Sequence, residues 1–235
     1  MGGAALHARD LELWYPAPGA AADAMALDID VVRVAAGESV GITGPSGAGK
    51  TSLLQVLTGL LRPQRGSVNW AGTDILTLSE NRRDAWRRAT VGFVFQDFHL
   101  VPELSPLDNV LLPVSFTQAR VPVALRRRAL ELLARVGLEA RRGQAATLSR
   151  GEMQRVAVSR ALLFAPPIVV ADEPTASLDA ENARLVSRLL LEMCDELGAT
   201  LIVVSHDRWL LESLDRSLRL VDGTLTGTTR ALELL

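Results

Sequence analysis

A chain of 235 residues, 48% hydrophobic and 22% charged, has the balance of a folded domain with room for a substantial core, which excludes a disordered chain. Its formal net charge of −2 excludes the overall basic field that draws a protein onto nucleic acid or an acidic membrane surface. Cys194 is the only cysteine, so an internal disulfide is excluded, and no apolar run reaches the roughly 20 residues of a membrane-spanning helix. Met1 to Asp10 lacks the basic start and apolar block of a secretory signal, so a cytoplasmic protein is expected, with any membrane contact made through a partner.

From Leu6 to Val34 apolar and polar residues alternate (Leu11 and Leu13, then Leu27, Ile29 and Val31), which predicts antiparallel strands separated by a turn at Pro16-Ala17-Pro18-Gly19-Ala20. A short apolar strand, Ser39 to Thr43, enters a glycine-rich loop, and an apolar helix, Thr51 to Leu61, leaves it. Arg65-Gly66 turns into a strand at Ser67 to Trp70.

Helical signals dominate from about Phe98 to Ala165. Ser105-Pro106-Leu107-Asp108 supplies a cap, a helix-compatible proline and an acid at a helix start. Leu125, Ala129, Leu132, Leu133 and Val136 recur at helical spacing before a stop at Gly137, with Arg126, Arg127 and Arg128 read as a solvated face.

After Pro166-Pro167 come buried strands at Ile168 to Ala171 and Leu201 to Val204, joined by a helix from Ala180 to Leu197 that ends at Gly198. Strand, crossover helix and strand make a parallel sheet, and Ser217 to Val221, Asp222-Gly223 and Thr224 to Thr226 make a hairpin. The fold class is therefore α/β, one nucleotide-binding core (about residues 1–96 and 166–235) with an inserted helical segment (about 97–165).

Gly44-Pro45-Ser46-Gly47-Ala48-Gly49-Lys50-Thr51, followed by Ser52, fits G-x-x-x-x-G-K-[ST] between a strand and a helix. Glycines let backbone N–H groups wrap phosphates, and the following helix adds its positive end. Lys50 is expected on the β- and γ-phosphates and the Thr51 hydroxyl on Mg²⁺. Asp172 and Glu173 end a buried apolar strand; Asp172 suits magnesium through its water shell, and Glu173, one step on and facing the other side, suits the water that attacks the γ-phosphate. These residues define a magnesium-dependent NTPase and leave a kinase, a GTPase and a motor open.

Leu148-Ser149-Arg150-Gly151-Glu152 resembles the L-S-G-G-Q signature of ATP-binding cassette (ABC) ATPases. Gln96 is similar to that family's Q-loop glutamine, Ser177-Leu178-Asp179 to its D-loop, Ser205-His206-Asp207 to its switch histidine region, and Tyr15 to its adenine-stacking aromatic, with Trp14 as competitor. The order matches over nearly the whole chain. The resemblance implies a parallel central sheet with an antiparallel β-subdomain and a helical subdomain. It also implies a head-to-tail dimer with two ATP molecules between subunits: Ser149 and Gly151 of one copy on the γ-phosphate held by the other's Lys50, Asp179 across the interface, His206 on the γ-phosphate, and Gln96 near Mg²⁺ and the water.

Read from the residues alone, Ser149 and Glu152 form an S-x-x-E capping box opening a helix from Arg150 to Leu163. Arg150 departs from the family glycine and leaves two readings, a cation near the partner's phosphates or an ordinary solvent-facing helix start. Gln96 to Pro102 followed by Leu107 to Pro113 resembles the lipoprotein-release, macrolide-efflux and cell-division branch, which implies a separate membrane permease as partner. Without a membrane domain in this chain, location on the inner face of the membrane through that permease is expected. A cassette that regulates a membrane partner without moving cargo remains the alternative, and a soluble DNA-repair cassette is a further one, disfavoured by the absence of a coiled-coil insertion. His7 and His99 have no metal-like partners, and Cys194 has nothing near in sequence to activate it.

Overall fold

The computed structural model describes residues 2–16 and 24–230, so the expected turn lies, beyond Pro16, outside the described residues. In chain order the elements are β1 (Leu6–Tyr15), β2 (Ala24–Val34), β3 (Ser39–Thr43), α1 (Lys50–Leu57), β4 (Arg65–Trp70), β5 (Thr73–Asp74), α2 (Glu80–Thr90), β6 (Val91–Val94), α3 (Pro106–Ser115), α4 (Val123–Arg135), α5 (Arg150–Ala161), β7 (Ile168–Asp172), α6 (Ala180–Leu197), β8 (Thr200–Val204), α7 (Arg208–Glu212), β9 (Arg216–Val221) and β10 (Thr224–Arg230). They build an antiparallel sheet, β2-β1-β4-β5, and a six-stranded sheet, β10-β9-β3-β8-β7-β6. In the second sheet β9, β3, β8, β7 and β6 are parallel, and β10 closes one edge as the expected antiparallel hairpin.

The central parallel strands β3, β7 and β8 are buried on both faces, and their period of two divides one apolar run between two cores. Ile168 and Val170 of β7, with Ile202 and Val204 of β8, join the core shared with α1 and the antiparallel sheet. Val169, Ala171, Leu201 and Val203 point the opposite way and join α3, α4, α5 and α6. Helices α3, α4 and α5 pack on one another and reach the sheet through that second core.

Three local expectations are corrected. Val31, read as inward, is 42% exposed. Asp10 takes φ 51 and breaks the alternation, so Leu6 and Ala8 before it and Leu11 and Leu13 after it face one core. Its neighbour β2 follows, burying Leu27 and Ile29 and then Val32 and Val34. Helix α1 ends at Leu57 rather than Leu61, because Gly59 takes φ 68 and the left-handed turn stops it. Arg126 and Arg127 are exposed as read, but Arg128, beside the buried Ala129 and Leu132, is half-buried and donates to Leu162 O at 3.2 Å.

Helix α2 was not foreseen. It buries no side chain fully, and arginines fasten it instead: Arg83 Nε and Arg87 Nη1 donate to Gly59 O at 3.0 and 2.7 Å. A stripe-based reading has no apolar period to find there.

Fully buried Asn109 on α3 pins the segment before that helix. Its amide donates to Val101 O, Leu104 O and Ser105 O, and its carbonyl accepts from Val101 N at 2.8 Å. Asn109→Leu keeps the branched outline of the side chain and strands that buried N–H and those carbonyls. It is expected to cost about 2–4 kcal/mol in denaturant unfolding, since each orphaned group carries about 1–3 kcal/mol.

Candidate active site

Every parallel strand from β3 to β6 delivers a motif at its carboxyl end: β3 the glycine loop, β8 Ser205 and His206, β7 Asp172 and Glu173, β6 Phe95 and Gln96. Strand ends are where a sheet covered on both faces can present polar groups. A cleft of about 310 Å³ there is lined by Ser46, Gly47, Gly49, Lys50, Thr51, Ser52, Glu173, Val204 and His206. It adjoins a second hollow where Gln96 meets Glu173 and His206.

The loop's shape depends on close backbone approach. Gly44 has φ 150, and a Cβ there would lie 1.9 Å from Leu220 O; Gly49 has φ 96, and its Cβ would lie 2.6 Å from Ala26 O. Any side chain would push the loop off β9 and β2. Gly44 and Pro45 sit behind the cleft, where their carbonyls each accept from Lys50 Nζ at 2.9 Å. Ala48 is buried at 3% exposure and its carbonyl accepts from Gly223 N. Lys50, itself only 8% exposed, is thus aimed by its own loop. Gly49 precedes helix α1 as its cap residue and offers no side-chain cap, so the first N–H groups of the helix are left for the cleft.

Tyr15 and Trp14 separate as the strand alternates. Trp14 is half-buried, its backbone bridged by Gln64 at 3.0 and 3.1 Å, whereas Tyr15 is 40% exposed with its hydroxyl 3.1 Å from Ser52 Oγ. Tyr15 is the aromatic beside the loop.

Burial raises the Asp172 carboxyl above the usual carboxylate range, while the Thr51 hydroxyl and the Lys50 charge pull the other way. Asp172 Oδ1 is buried with no hydrogen-bond partner among the described residues, and an orphaned acceptor beside a hydroxyl suits a hard cation. No cluster of three or more His, Cys, Asp or Glu side chains suits a metal among the described residues, so such a cation would draw its remaining ligands from phosphate and water.

Glu173 does not simply face the opposite side of the strand. It takes φ 46, a left-handed conformation that costs an L-residue about 1–2 kcal/mol, and its N–H donates to Val204 O at 2.8 Å. This bend turns the carboxylate to His206, whose N–H and Nε2 lie 3.4 and 3.3 Å from its two oxygens. Burial raises the Glu173 carboxyl, opposed first by the His206 charge and N–H.

Ser149, Gly151 and Asp179 do not line this cleft. Ser149 accepts from Glu152 N at 3.3 Å and Glu152 accepts from Ser149 N at 2.8 Å, the expected capping box. Burial alone would raise Glu152, but the Ser149 N–H and the paired Arg141 hold it below the usual range. Gly151 is pressed on α6, since a Cβ there would lie 2.3 Å from Asn182 Oδ1. Asp179 caps α6 through Glu181 N and Asn182 N at 3.1 and 3.0 Å. Arg150 is exposed at the helix start, as one of the two readings has it, and also turns onto its own chain: its Nε donates to Ser177 O at 3.0 Å and its guanidinium carbon lies 5.5 Å from the Phe98 ring centroid.

One residue escaped the sequence reading. Gln154, fully buried on α5, donates to Pro174 O at 2.8 Å and Phe95 O at 3.4 Å, linking the segments that carry Glu173 and Gln96. A glutamine on the buried face of a helix was the available signal. Burial pushes the Cys194 thiol up to about 12, which makes it inert.

A glycine loop gripping a buried lysine, with two acids and a histidine on neighbouring parallel strands, defines a phosphate-loop nucleotide hydrolase. Residues 28–176 match the ABC transporter family model. The chain is 43% identical over 200 residues to the lipoprotein-releasing system ATP-binding protein LolD of Syntrophotalea carbinolica, covering 83% of this chain and 86% of that one. LolD of Bacteroides thetaiotaomicron is 42% identical, covering 85% and 90%. Among solved structures, the dimeric post-hydrolysis state of the cassette MJ0796 bound to ADP and Pi superposes with a TM-score of 0.86 at 33% identity, covering 96% and 98%. The chain belongs to the ABC transporter family. It is an ATP-binding, ATP-hydrolysing cassette, and none of its described helices is long and apolar enough to cross a membrane.

Asp172 and Gln154 generate a stability prediction each. A carboxyl whose folded pKa is raised contributes stability below its unfolded pKa of about 4 and loses it as pH rises through the folded value. Asp172→Asn is therefore expected to raise the melting temperature at pH 7 in nucleotide-free buffer, with the gain shrinking as pH falls toward 4. A variant that melts below the parent at pH 7 removes burial as the dominant effect. Gln154→Leu, which strands two carbonyls, is expected to lose about 1–3 kcal/mol in denaturant unfolding.

Proposed function

We propose that this chain drives a separate membrane permease of the lipoprotein-release type by closing, with ATP, into a head-to-tail dimer. The observation that carries the reading is the separation of two phosphate-type surfaces within one chain. Lys50 and the uncapped start of α1 form one, at the strand ends. The signature turn forms the other; its capping box satisfies the N–H groups of Ser149 and Glu152 and leaves those of Arg150 and Gly151 without intrahelical carbonyls. Because Ser149 and Gly151 lie outside the Lys50 cleft, a second copy is the natural source of the second surface.

In this reading the loop of Gly44 to Thr51 and Ser52 binds the phosphates, and Tyr15 stacks on adenine. Thr51 and Asp172, with Gln96 at the rim, would hold Mg²⁺, which when bound neutralises charge on the β- and γ-phosphates. Glu173, turned by its left-handed backbone, orients and polarises the attacking water, and His206 fixes that carboxylate while facing the γ-phosphate. Ser149, Gly151 and Asp179 act on the partner's nucleotide. Loss of the γ-phosphate then removes the link between copies.

The reading of a permease contact is supported by a groove of about 670 Å³ between the α2–β6 segment and helices α3 and α5, lined by Phe93, Phe95, His99, Phe116 and Phe164 with Arg88 and Arg160. Phe93 and Phe95 stack at 4.2 Å, and Phe116 is 74% exposed. An amphipathic helix from a membrane subunit fits such an aromatic floor. The groove reaches Phe95, next to Gln96, so docking there would be joined to the cleft and would hold the protein at the inner face of the membrane.

Glu173→Gln is expected to bind ATP within about three-fold of the parent, lose at least 100-fold in turnover, a scale set by general-base catalysis, and accumulate as an ATP-bound dimer in light scattering. Hydrolysis at the parent rate would remove Glu173 from its role. Phe116→Glu is expected to weaken co-purification with a membrane permease of the lipoprotein-release type by about ten-fold or more, as for an interface anchor, while the isolated chain hydrolyses ATP normally. Unchanged co-purification would place the docking site elsewhere.

A further inference from the structure

The signature turn and the loop Ser177–Asp179 belong to different parts of the chain, the first to the helical insertion and the second to the segment joining β7 and α6. Arg150 spans them: its Nε–H donates to Ser177 O at 3.0 Å while its guanidinium carbon lies over the Phe98 ring, 5.5 Å from the centroid. Phe98 is a firm seat. The residue is 7% exposed, its backbone takes φ 58, and its carbonyl accepts from Arg160 at 2.5 Å, as does that of His99. Helix α5 thus holds the segment just after Gln96 at both ends, with Arg150 in its first turn and Arg160 in its last. Only Arg150 continues to Ser177.

On the other side of the loop, Asn182 packs against Gly151 and its amide donates to Asp179 Oδ2 at 2.7 Å. Residues 177–182 are therefore held to the start of α5 from two directions, by the Arg150 side chain and by the Gly151 contact.

We propose that Arg150 is a positioning residue that ties the signature turn to the loop Ser177–Asp179 and to Phe98, so that the three shift as one body when the dimer closes. A glycine at this position offers neither the hydrogen bond nor the cation over the ring, and a lysine offers a flexible point charge without the planar fork. The device rests on the dimeric reading above. There, Ser149 and Gly151 grip one nucleotide while Asp179 faces the interface, and a rigid tie passes the engagement of the first directly to the second.

The test compares Arg150→Ala, Arg150→Lys and Phe98→Leu in the full chain. In nucleotide-free protein, hydrogen exchange across residues 177–182 is expected to speed up in all three variants. In turnover, kcat is expected to fall about five-fold, within the range of coupling-residue effects, with KM for ATP within about two-fold of the parent. Exchange at the parent rate in Arg150→Ala would overturn the tie. So would full rescue by Arg150→Lys with a raised KM in Arg150→Ala, which marks a charge acting on phosphate. The dimeric reading is checked separately by ATP-driven association of the Glu173→Gln chain. If that chain stays monomeric the dimeric reading falls, while the tie still stands or falls on the exchange measurement.

Discussion

The constraint on which the molecule depends is that its central parallel strands are buried on both faces. Ile168 and Val170 serve one core and Val169 and Ala171 the other, so no polar chemistry can sit along β7. Chemistry is driven to the strand ends, and four strands in register bring four motifs to one edge. The helices and the antiparallel sheet cover the faces and leave that edge open.

The edge is electrostatically tense. Asp172 and Glu173 are both pushed toward protonation by burial, and each is partly restored by a neighbour able to carry positive charge, Lys50 for the first and His206 for the second. Lys50 is occupied by the carbonyls of its own loop. A group of this kind is best satisfied by a ligand carrying its own compensating charges, such as a polyphosphate with a hard cation. Backbone strain at Glu173 belongs to the same arrangement, because the left-handed turn is what carries its carboxylate to His206.

The helical insertion is joined to that edge by side chains rather than by sheet. Gln154 bonds the segments beside Gln96 and Glu173, Arg160 holds residues 98 and 99, and Arg150 reaches Ser177. These are few and directional contacts. They give the insertion a defined position on the core and link the aromatic groove, the signature turn and the cleft.

The sequence by itself determined the α/β class, the glycine loop, the acidic strand end, the capping box and nearly every strand and helix that carries them. Those features are local: a period of two, a period of 3.6, a cap three residues from its partner. What only the tertiary structure decided are relations between distant residues. Helix α2 has no apolar stripe and is fastened by arginines to Gly59. The outward turn of Val31 follows a bend at Asp10 on the neighbouring strand. The grip of Gln154 on Pro174 and that of Arg150 on Ser177 cross 20 and 27 positions. Local spacing fixes what a residue can do, and the pairing of strands and helices fixes what it meets.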